Sequence, residues 1–281
     1  MCIRDRYDPT RVESSINLAL SNATIEPEAS YLLLLNAIQE AELALDRQTA
    51  LKGYKALAEH SLMNDEYDEA LLAANQAYIM ALELNRMADI HKCLRLLSDV
   101  HLRKDLKDET LEYLYRGLFM SQQLADTNSL SWYLSHIPSI ELEMGNLVRS
   151  MQYCLQGVSL FEQNADSINL AKSLLTLGAI HTELGNYPSA QVNILRAIGI
   201  FTYNADSTML GRAYLGYAEL FLAQNQISEA ESYVSRAISF LHGLDRRYYL
   251  RAVSLHAEIL TLMGDSRKAY DLLKRTIAQQ N

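Results

Sequence analysis

Apolar residues recur at helical spacing along almost the whole chain, in segments separated by short polar turns. In the stretch LGAIHTELGNYPSAQ, residues 177–191, the small residues Gly178 and Ala190 flank a turn at residues 184–187. No segment shows the alternation of Val, Ile and Thr that a half-buried strand requires. The pattern therefore predicts an all-α chain of helix-turn-helix pairs.

The same arrangement recurs with a period of 40 residues. Six units follow one another over residues 49–281, at about 51–90, 91–130, 131–170, 171–210, 211–249 and 250–281. Three columns of the aligned units hold small residues: Ala58, Ser98, Pro138, Gly178, Ala218 and Ala257; Ala70, Thr110, Ser150, Ala190, Ala230 and Ala269; and Ala77, Gly117, Gly157, Ala197, Ala237 and Thr276. Small residues let paired helices approach closely, so we expect these columns at the helix contacts.

Two further features mark the helix ends. A turn column holds residue types that tolerate a positive backbone φ: Asp65, Asp105, Gly145, Gly185, Asn225 and Gly264. Between units, the sequence NADS occurs at residues 164–167 and again at 204–207, which predicts Asp or Ser as the N-cap of the next helix. Large apolar residues at helical spacing are expected in the core: Leu57, Leu97, Ile137, Leu177 and Tyr217 on the first helices, and Leu114, Cys154, Ile194, Val234 and Leu273 on the second.

Residues 10–48 fit the pattern less well, and we interpret them as a degenerate leading repeat. Residues 1–9 fit no repeat position. Their opening, MCIRDR, resembles adaptor read-through at the end of an assembled reading frame. We therefore expect residues 1–9 to be a non-native or disordered start.

The small-residue columns fall at the eighth, twentieth and twenty-seventh positions of each unit, and in this the chain resembles tetratricopeptide-repeat proteins. The usual period of that family is 34 residues, and the longer period found here resembles the repeats of bacterial regulators. The resemblance implies a right-handed α-α superhelical solenoid of about six to seven helix-turn-helix repeats. It also implies that the first helices line a concave groove.

Composition narrows the class of partner. The net charge of -9 argues against a nucleic-acid partner, which requires a broad basic surface. No apolar run is long enough to span a bilayer or to form the core of a signal peptide, so we predict a cytoplasmic protein without a membrane partner. The three cysteines, Cys2, Cys93 and Cys154, lack metal or redox spacing. We expect no metal and no cofactor.

Catalytic residues are not recognisable either. The seven histidines form no HExxH motif or Cys/His ligand set, and no glycine-rich phosphate loop is present. Carboxylates are numerous, but each candidate pair also fits a solvated helix face. We predict that the protein is not an enzyme.

One column of the first helices is the candidate partner-binding site: Lys52, Lys92, Trp132, Lys172, Arg212 and Arg251. We call these six residues the ladder, and the family resemblance implies that they face the groove. A second column, two helical turns further on, is largely acidic: Glu59, Asp99, Ser139, Ala179, Glu219 and Glu258. The most positive part of the groove is then expected around Lys172, where the acid is absent. Alternatively, the basic residues cover apolar neighbours with their stems and bind nothing.

The third unit differs from the others. Pro138 lies inside its first helix, where we expect a kink, and Trp132 is the one tryptophan of the chain. The two features suit either a specificity pocket or a tolerated irregularity.

We therefore predict a non-enzymatic scaffold that binds a peptide or helix with acidic groups in its concave groove. An alternative is the sensory or regulatory segment of a larger signalling protein, such as a histidine kinase, diguanylate cyclase or transcription regulator, whose effector module is absent. An enzyme built on helical repeats has no support in the sequence. The pattern does not determine an oligomeric state.

Overall fold

A computed structural model describes residues 7–278, which form fourteen α-helices and no strand. The opening hexapeptide with Cys2, and residues 279–281, lie outside the described residues. The helices are α1 (Pro9–Asn22), α2 (Pro27–Leu43), α3 (Arg47–Met63), α4 (Tyr67–Glu83), α5 (Met87–Arg103), α6 (Lys107–Gln123), α7 (Thr127–Glu143), α8 (Leu147–Gln163), α9 (Ser167–Glu183), α10 (Tyr187–Tyr203), α11 (Ser207–Ala223), α12 (Ile227–Leu241), α13 (Arg246–Leu262) and α14 (Ser266–Ala278). The predicted all-α architecture is confirmed.

The chain divides into two compact units, Met1–Tyr133 and Leu134–Asn281, which we call unit 1 and unit 2. The division falls inside α7. In unit 1, the first helices of successive pairs begin at residues 47, 87 and 127, and in unit 2 they begin at residues 167, 207 and 246. Each pair thus begins a few residues before the unit that the sequence alignment defines.

Residues 7–9, the described part of the segment that we expected to be non-native or disordered, contact the helices that follow. Asp8 is the N-cap of α1, and its side chain accepts hydrogen bonds from the backbone N–H groups of Thr10 and Arg11. The hydroxyl of Tyr7 donates to Asp46 Oδ2 at 2.8 Å. Residues 7–9 therefore make specific contacts with the helices that follow.

The turn column adopts the backbone conformation that was predicted. Its φ values are all positive, from 57° at Asn225 to 87° at Gly264. The left-handed residue lets the next N–H groups reach carbonyls of the preceding helix, as where Asn186 N–H donates to His181 O at 2.8 Å. A Cβ on Gly145 or Gly185 would meet nothing within 4 Å. Glycine is therefore favoured at these positions by the positive φ and not by close packing.

A second series of left-handed turns joins one helix pair to the next and was not predicted. Apart from Asn85 (52°), it contains residues for which a positive φ is costly: Leu45 (61°), Ala125 (52°), Ala165 (54°) and Ala205 (54°). The predicted caps are confirmed beside these turns, because Asp166 and Asp206 accept the backbone N–H groups of Asn169 and Met209. Asp46 and Asp245 cap α3 and α13 in the same way.

The small columns lie where helices approach most closely. A Cβ on Gly178 would lie 2.4 Å from Ile194 Cγ1 in unit 2, and one on Gly117 would lie 2.0 Å from the ring of Tyr133 in unit 1. Ala70, Ala77, Ala190 and Ala197 are fully buried. A side chain at either glycine would require Ile194 or the Tyr133 ring to shift, at a cost of about 1–3 kcal/mol.

The predicted large core positions are buried in both units, with one exception. Leu97 and Leu114 are at most 1% exposed in unit 1, as are Ile137 and Ile194 in unit 2. The prediction for Leu273 is wrong, because its side chain is 40% exposed. Cys154, Ile194 and Val234, the equivalent residues in unit 2, cluster with apolar residues of the following helix, and no further helix follows α14 within the described residues.

Pro138 lies inside α7, which is helical on both sides of it. The hydroxyl of Ser150 donates to the carbonyl of Pro138 at 2.6 Å, and both residues are buried. The local contact ties α8 to α7 at the proline, and the kink stays a prediction.

Candidate functional site

In each unit the ladder and the acidic column lie on the first helices, and we call these positions the first-helix face of that unit. In unit 1, Lys92 Nζ lies 3.0 Å from Glu59 Oε1, a residue of the preceding first helix. In unit 2, Arg251 Nη2 lies 2.7 Å from Glu219 Oε1, again on the preceding first helix. A ladder cation therefore pairs with the acidic-column residue one repeat earlier.

Two other ladder cations pair with carboxylates outside the acidic column. Lys52 Nζ lies 2.5 Å from Glu13 Oε1 on α1. Arg212 donates from Nε to Asp245 Oδ2 at 2.9 Å, and its guanidinium lies 4.1 Å from the ring centroid of Tyr248. The residue one repeat before Arg212 in the acidic column is Ala179, so the internal acid is replaced by the N-cap of α13.

Lys172 differs from these four cations. The acidic-column residue one repeat earlier is Ser139, and within residues 7–278 no carboxylate lies within 4.0 Å of Lys172 Nζ, whose recorded partner is Asn169 Oδ1 at 3.3 Å. Burial lowers the pKa of Lys172, and the charge of Arg212 lowers it further, against the raising effects of Asp206 and Asp166. The half-buried ammonium group is thus held next to a second cation without an ion pair of its own.

In unit 1, Trp132 leaves an acidic-column residue without a ladder cation opposite it. Because the ladder residue is aromatic there, Asp99, the acidic-column residue one repeat earlier, has no ladder cation opposite it. Burial raises the pKa of Asp99 to about 6, although Arg103 and Arg95 oppose the shift. Trp132 is half-buried and packs edge-on against Tyr133 at 5.2 Å between ring centroids.

A second pair of columns on the first-helix face was not singled out as a site from the sequence. Lys55 and Asp89 form a largely buried ion pair, with side chains 12% and 10% exposed. One repeat later the equivalent residues are Arg95 and Ser129, and the Arg95 Nη2 to Ser129 Oγ distance is 3.4 Å. The guanidinium of Arg95 lies 4.5 Å from the ring centroid of Trp132.

The described residues provide little for metal or thiol chemistry. Among them, no group of three or more His, Cys, Asp or Glu residues is arranged to hold a metal ion. Cys93 and Cys154 are buried free thiols, and burial raises the pKa of each to about 12, so the reactive thiolate is disfavoured at neutral pH. No helix in the described part of the chain is long and apolar enough to cross a membrane.

Comparison with known proteins identifies the repeat. The tetratricopeptide-repeat family model matches residues 169–242, which cover α9 to α12 of unit 2. No curated protein matches the chain.

Several solved structures share the fold. One is a Signal Transduction ATPase with Numerous Domains (STAND) protein with a tetratricopeptide repeat sensor from Pyrococcus horikoshii, with a TM-score of 0.66 at 17% identity over 96% of this chain. This chain spans 42% of the length of that protein. The others are a Rap protein complexed with competence and sporulation factor (TM-score 0.69, 14% identity, 96% of this chain and 76% of that one) and aspartyl phosphate phosphatase F from Bacillus subtilis (0.65, 12%, 91% and 72%).

These likenesses concern the fold alone, over 91% to 96% of this chain. They agree with the small-residue columns, the left-handed turns and the paired helices of both units. Residues 169–242 thus match the tetratricopeptide-repeat family, and the chain as a whole shares its fold with solved tetratricopeptide-repeat structures.

Proposed function

We propose that the protein is a non-enzymatic cytoplasmic scaffold that binds an acidic peptide or helix of another protein on the first-helix face of unit 2. The observation that supports this most is Lys172, a half-buried cation without a carboxylate within 4.0 Å in the described part of the chain. A carboxylate from a partner would supply the ion pair that Glu59 supplies to Lys92. A charge-assisted hydrogen bond in a partly desolvated place is stronger than one in water.

The other ladder residues take a smaller part in this proposal. Lys52, Lys92, Arg212 and Arg251 already hold carboxylates of the chain, so a ligand that used them would first have to displace those groups. We therefore place the recognition of acidic groups at Lys172, with Arg212 beside it contributing charge rather than free hydrogen-bond donors. We place Trp132, which lies in unit 1, outside this site.

The test is affinity capture from a lysate of the source cells, quantified by mass spectrometry, with the wild type and three variants. Lys172→Gln removes the charge, Lys172→Arg keeps it, and Lys92→Gln removes a cation that is already paired. We expect one or more proteins to be captured by the wild type, Lys172→Arg and Lys92→Gln, and lost from Lys172→Gln. Circular dichroism controls for equal helicity. Equal capture by all four proteins would contradict the assignment of Lys172.

A second candidate function is the regulatory segment of a larger signalling protein. It is favoured by the likeness to the STAND protein, in which a chain of this length makes up 42% of the whole and whose description includes a tetratricopeptide repeat sensor. The two functions are compatible, because a sensor also binds its ligand. Sequencing the genomic reading frame around this chain tests the second one: an adjoining kinase, cyclase, ATPase or DNA-binding module supports it, and stop codons directly flanking the repeats contradict it.

A further inference from the structure

The outward side of α14 carries three apolar side chains that are exposed to solvent. Tyr270 is 63% exposed, Leu273 40% and Ile277 62%. They are spaced three and four residues apart, so they lie along one side of the helix, and we call them the α14 stripe. A continuous apolar surface of this kind is a candidate interaction site.

Earlier in unit 2, the positions equivalent to the α14 stripe are covered by the next repeat. Val234 and Ile238 of α12 stand at the positions of Leu273 and Ile277, and they belong to one apolar cluster with Ala252 of α13. The second helix α10 packs on α11 in the same way. The α14 stripe therefore occupies the place at which one helix pair packs on another.

Basic side chains flank the α14 stripe. Arg267, Lys274 and Arg275 are exposed, and no carboxylate of the described residues lies within 4.0 Å of any of them. Residues 246–278, which contain α13 and α14, hold seven Arg or Lys and three Asp or Glu, in a chain whose net charge is -9. The charge around the stripe thus favours a partner surface that is both apolar and acidic.

The turn between α1 and α2 presents such a surface. Ile25 is 76% exposed, and Glu26 and Glu28 beside it are exposed and have no described cation within 4.0 Å. Leu32, one helical turn after Glu28 on the same side of α2, is 59% exposed. Residues 7–46 hold seven Asp or Glu and one Arg. We call these four residues the α1–α2 surface.

The two surfaces belong to one chain, and their charges are opposite. Two α14 helices that faced each other would bring like charges together, which disfavours a symmetric dimer through α14. A head-to-tail contact between two copies instead joins the basic surface of one copy to the acidic surface of the other.

We propose that the α14 stripe of one copy binds the α1–α2 surface of a second copy. Ile25 and Leu32 cover the stripe, and Glu26 and Glu28 of the same copy pair with the cations that flank it. The contact joins two molecules as successive repeats are joined within one. It uses no ladder residue and does not depend on the proposed function.

Sedimentation velocity of the full chain tests the proposal. At low ionic strength the weight-average sedimentation coefficient should rise with protein concentration between about 1 and 200 µM. Because the contact pairs opposite charges, about 0.5 M salt should shift the rise to higher concentration. A monomer at every concentration would overturn the proposal.

Two charge-reversal variants identify the surfaces. Lys274→Glu with Arg275→Glu reverses the charge beside the stripe, and Glu26→Lys with Glu28→Lys reverses the charge of the α1–α2 surface. Each double variant should self-associate at least about tenfold more weakly than the wild type. Each keeps the surface that the other has lost, so an equimolar mixture of the two should form dimers and nothing larger.

A matched control removes the same amount of positive charge elsewhere. Arg116→Glu with Arg196→Glu alters exposed cations of α6 and α10 and should leave self-association within about twofold of the wild type. For the apolar part, Ile277→Ser should weaken self-association about tenfold. Leu72→Ser, at a 73% exposed position of α4, should not. Circular dichroism and thermal midpoints establish that each variant is folded.

The other occupants of the α14 stripe give different results. If the Glu26→Lys, Glu28→Lys protein self-associates as the wild type does and the Lys274→Glu, Arg275→Glu protein does not, the contact is a symmetric one and the proposal is overturned. A chain that stays monomeric but co-sediments with phosphatidylserine vesicles would overturn it in favour of an anionic membrane surface. Loss of partner capture in Lys172→Gln leaves this proposal unaffected, because Lys172 lies on neither surface.

Discussion

The two repeats that carry Lys92 and Lys172 have the same cation at the same position of the ladder, yet the two side chains lie in different electrostatic surroundings. Lys92 in unit 1 is paired with Glu59 at 3.0 Å. Lys172 in unit 2 has Ser139 at the position of Glu59, and its pKa is lowered by burial and by Arg212. Cations at equivalent positions are therefore not equally available for binding. Whether each one is already paired depends on the residue one repeat earlier.

The same lesson holds for Lys55 and Arg95, where the partner changes from Asp89 to Ser129. It also holds in reverse for Asp99, which has Trp132 where Glu59 has Lys92. In each case one substitution in a neighbouring repeat leaves a charged group without its partner. Such groups are the candidates for binding something outside the chain.

The largest effect is expected where a complete pair is broken. Asp89→Ser converts the first pair of unit 1 into the second and leaves Lys55 largely buried without a carboxylate. Because one partner of a buried ion pair remains unpaired, the free energy of unfolding should fall by about 3 kcal/mol. Urea denaturation followed by circular dichroism measures it. Asp68→Asn, which removes the partner of Lys104 at a site 83% exposed, is the control and should cost less than about 0.5 kcal/mol.

A smaller effect of opposite sign is expected at Asp99. Its pKa of about 6 in the folded protein exceeds the ordinary value of 3.8, so the folded state binds more protons than the unfolded state between those pH values. Its contribution to stability therefore declines as the pH rises through this window. Asp99→Asn should raise the free energy of unfolding by about 1–2 kcal/mol at pH 7.

The pH dependence provides the check on that prediction. The stability difference between Asp99→Asn and the wild type should be small near pH 4 and should grow up to about pH 7. Burial lowers the pKa values of His91 and His101, which makes stability fall as the pH drops below the ordinary histidine value, but this slope is common to both proteins. A difference that stays constant from pH 4 to pH 7 would show that the Asp99 carboxyl is not perturbed.

The smallest effect on stability is expected when the missing acid is restored in unit 2. Ser139→Glu places a carboxylate one repeat before Lys172, in the position of Glu59 relative to Lys92. The new pair is partly exposed, so the free energy of unfolding should rise by only about 0.5 kcal/mol. Differential scanning calorimetry measures the change, and Ser139→Gln, which has nearly the same volume and no charge, is the control. A loss of stability confined to the Glu variant would contradict the assumed proximity.

Much of the fold could be predicted from the sequence. Equivalent positions of successive repeats adopt the same backbone geometry, and they therefore hold similar residue types. Gly145 and Gly185 indicated left-handed turns, and NADS indicated the caps Asp166 and Asp206. The second turn series could not be predicted in this way. Leu45, Ala125 and Ala165 are not residues that favour positive φ, and the helices on either side impose their conformation.

The candidate site was only partly predictable. The absence of an acid near Lys172 was expected from Ala179, seven residues further along the same helix, and the structure agrees with the absence. The position that matters is instead Ser139, one repeat earlier, because ladder cations pair with the preceding first helix. The pairing of Arg212 with Asp245 did not follow, because it depends on α13 beginning directly after Asp245, which no sequence pattern marked as a cap. Arg95 and Ser129 belong to different columns, and their relation depends on how one repeat packs on the next.

We propose that a ladder cation is available to a partner only where the preceding repeat lacks the carboxylate. Lysine side chains labelled by reductive ¹³C-methylation, assigned with Lys→Arg variants and titrated with acetyl-hexaglutamate-amide, test it most directly by NMR. We predict that the Lys172 resonance shifts and the Lys92 resonance does not. Ser139→Glu should abolish the Lys172 shift, and Glu59→Ser should create one at Lys92. Equal responses of both lysines, unaltered by either substitution, would contradict the claim.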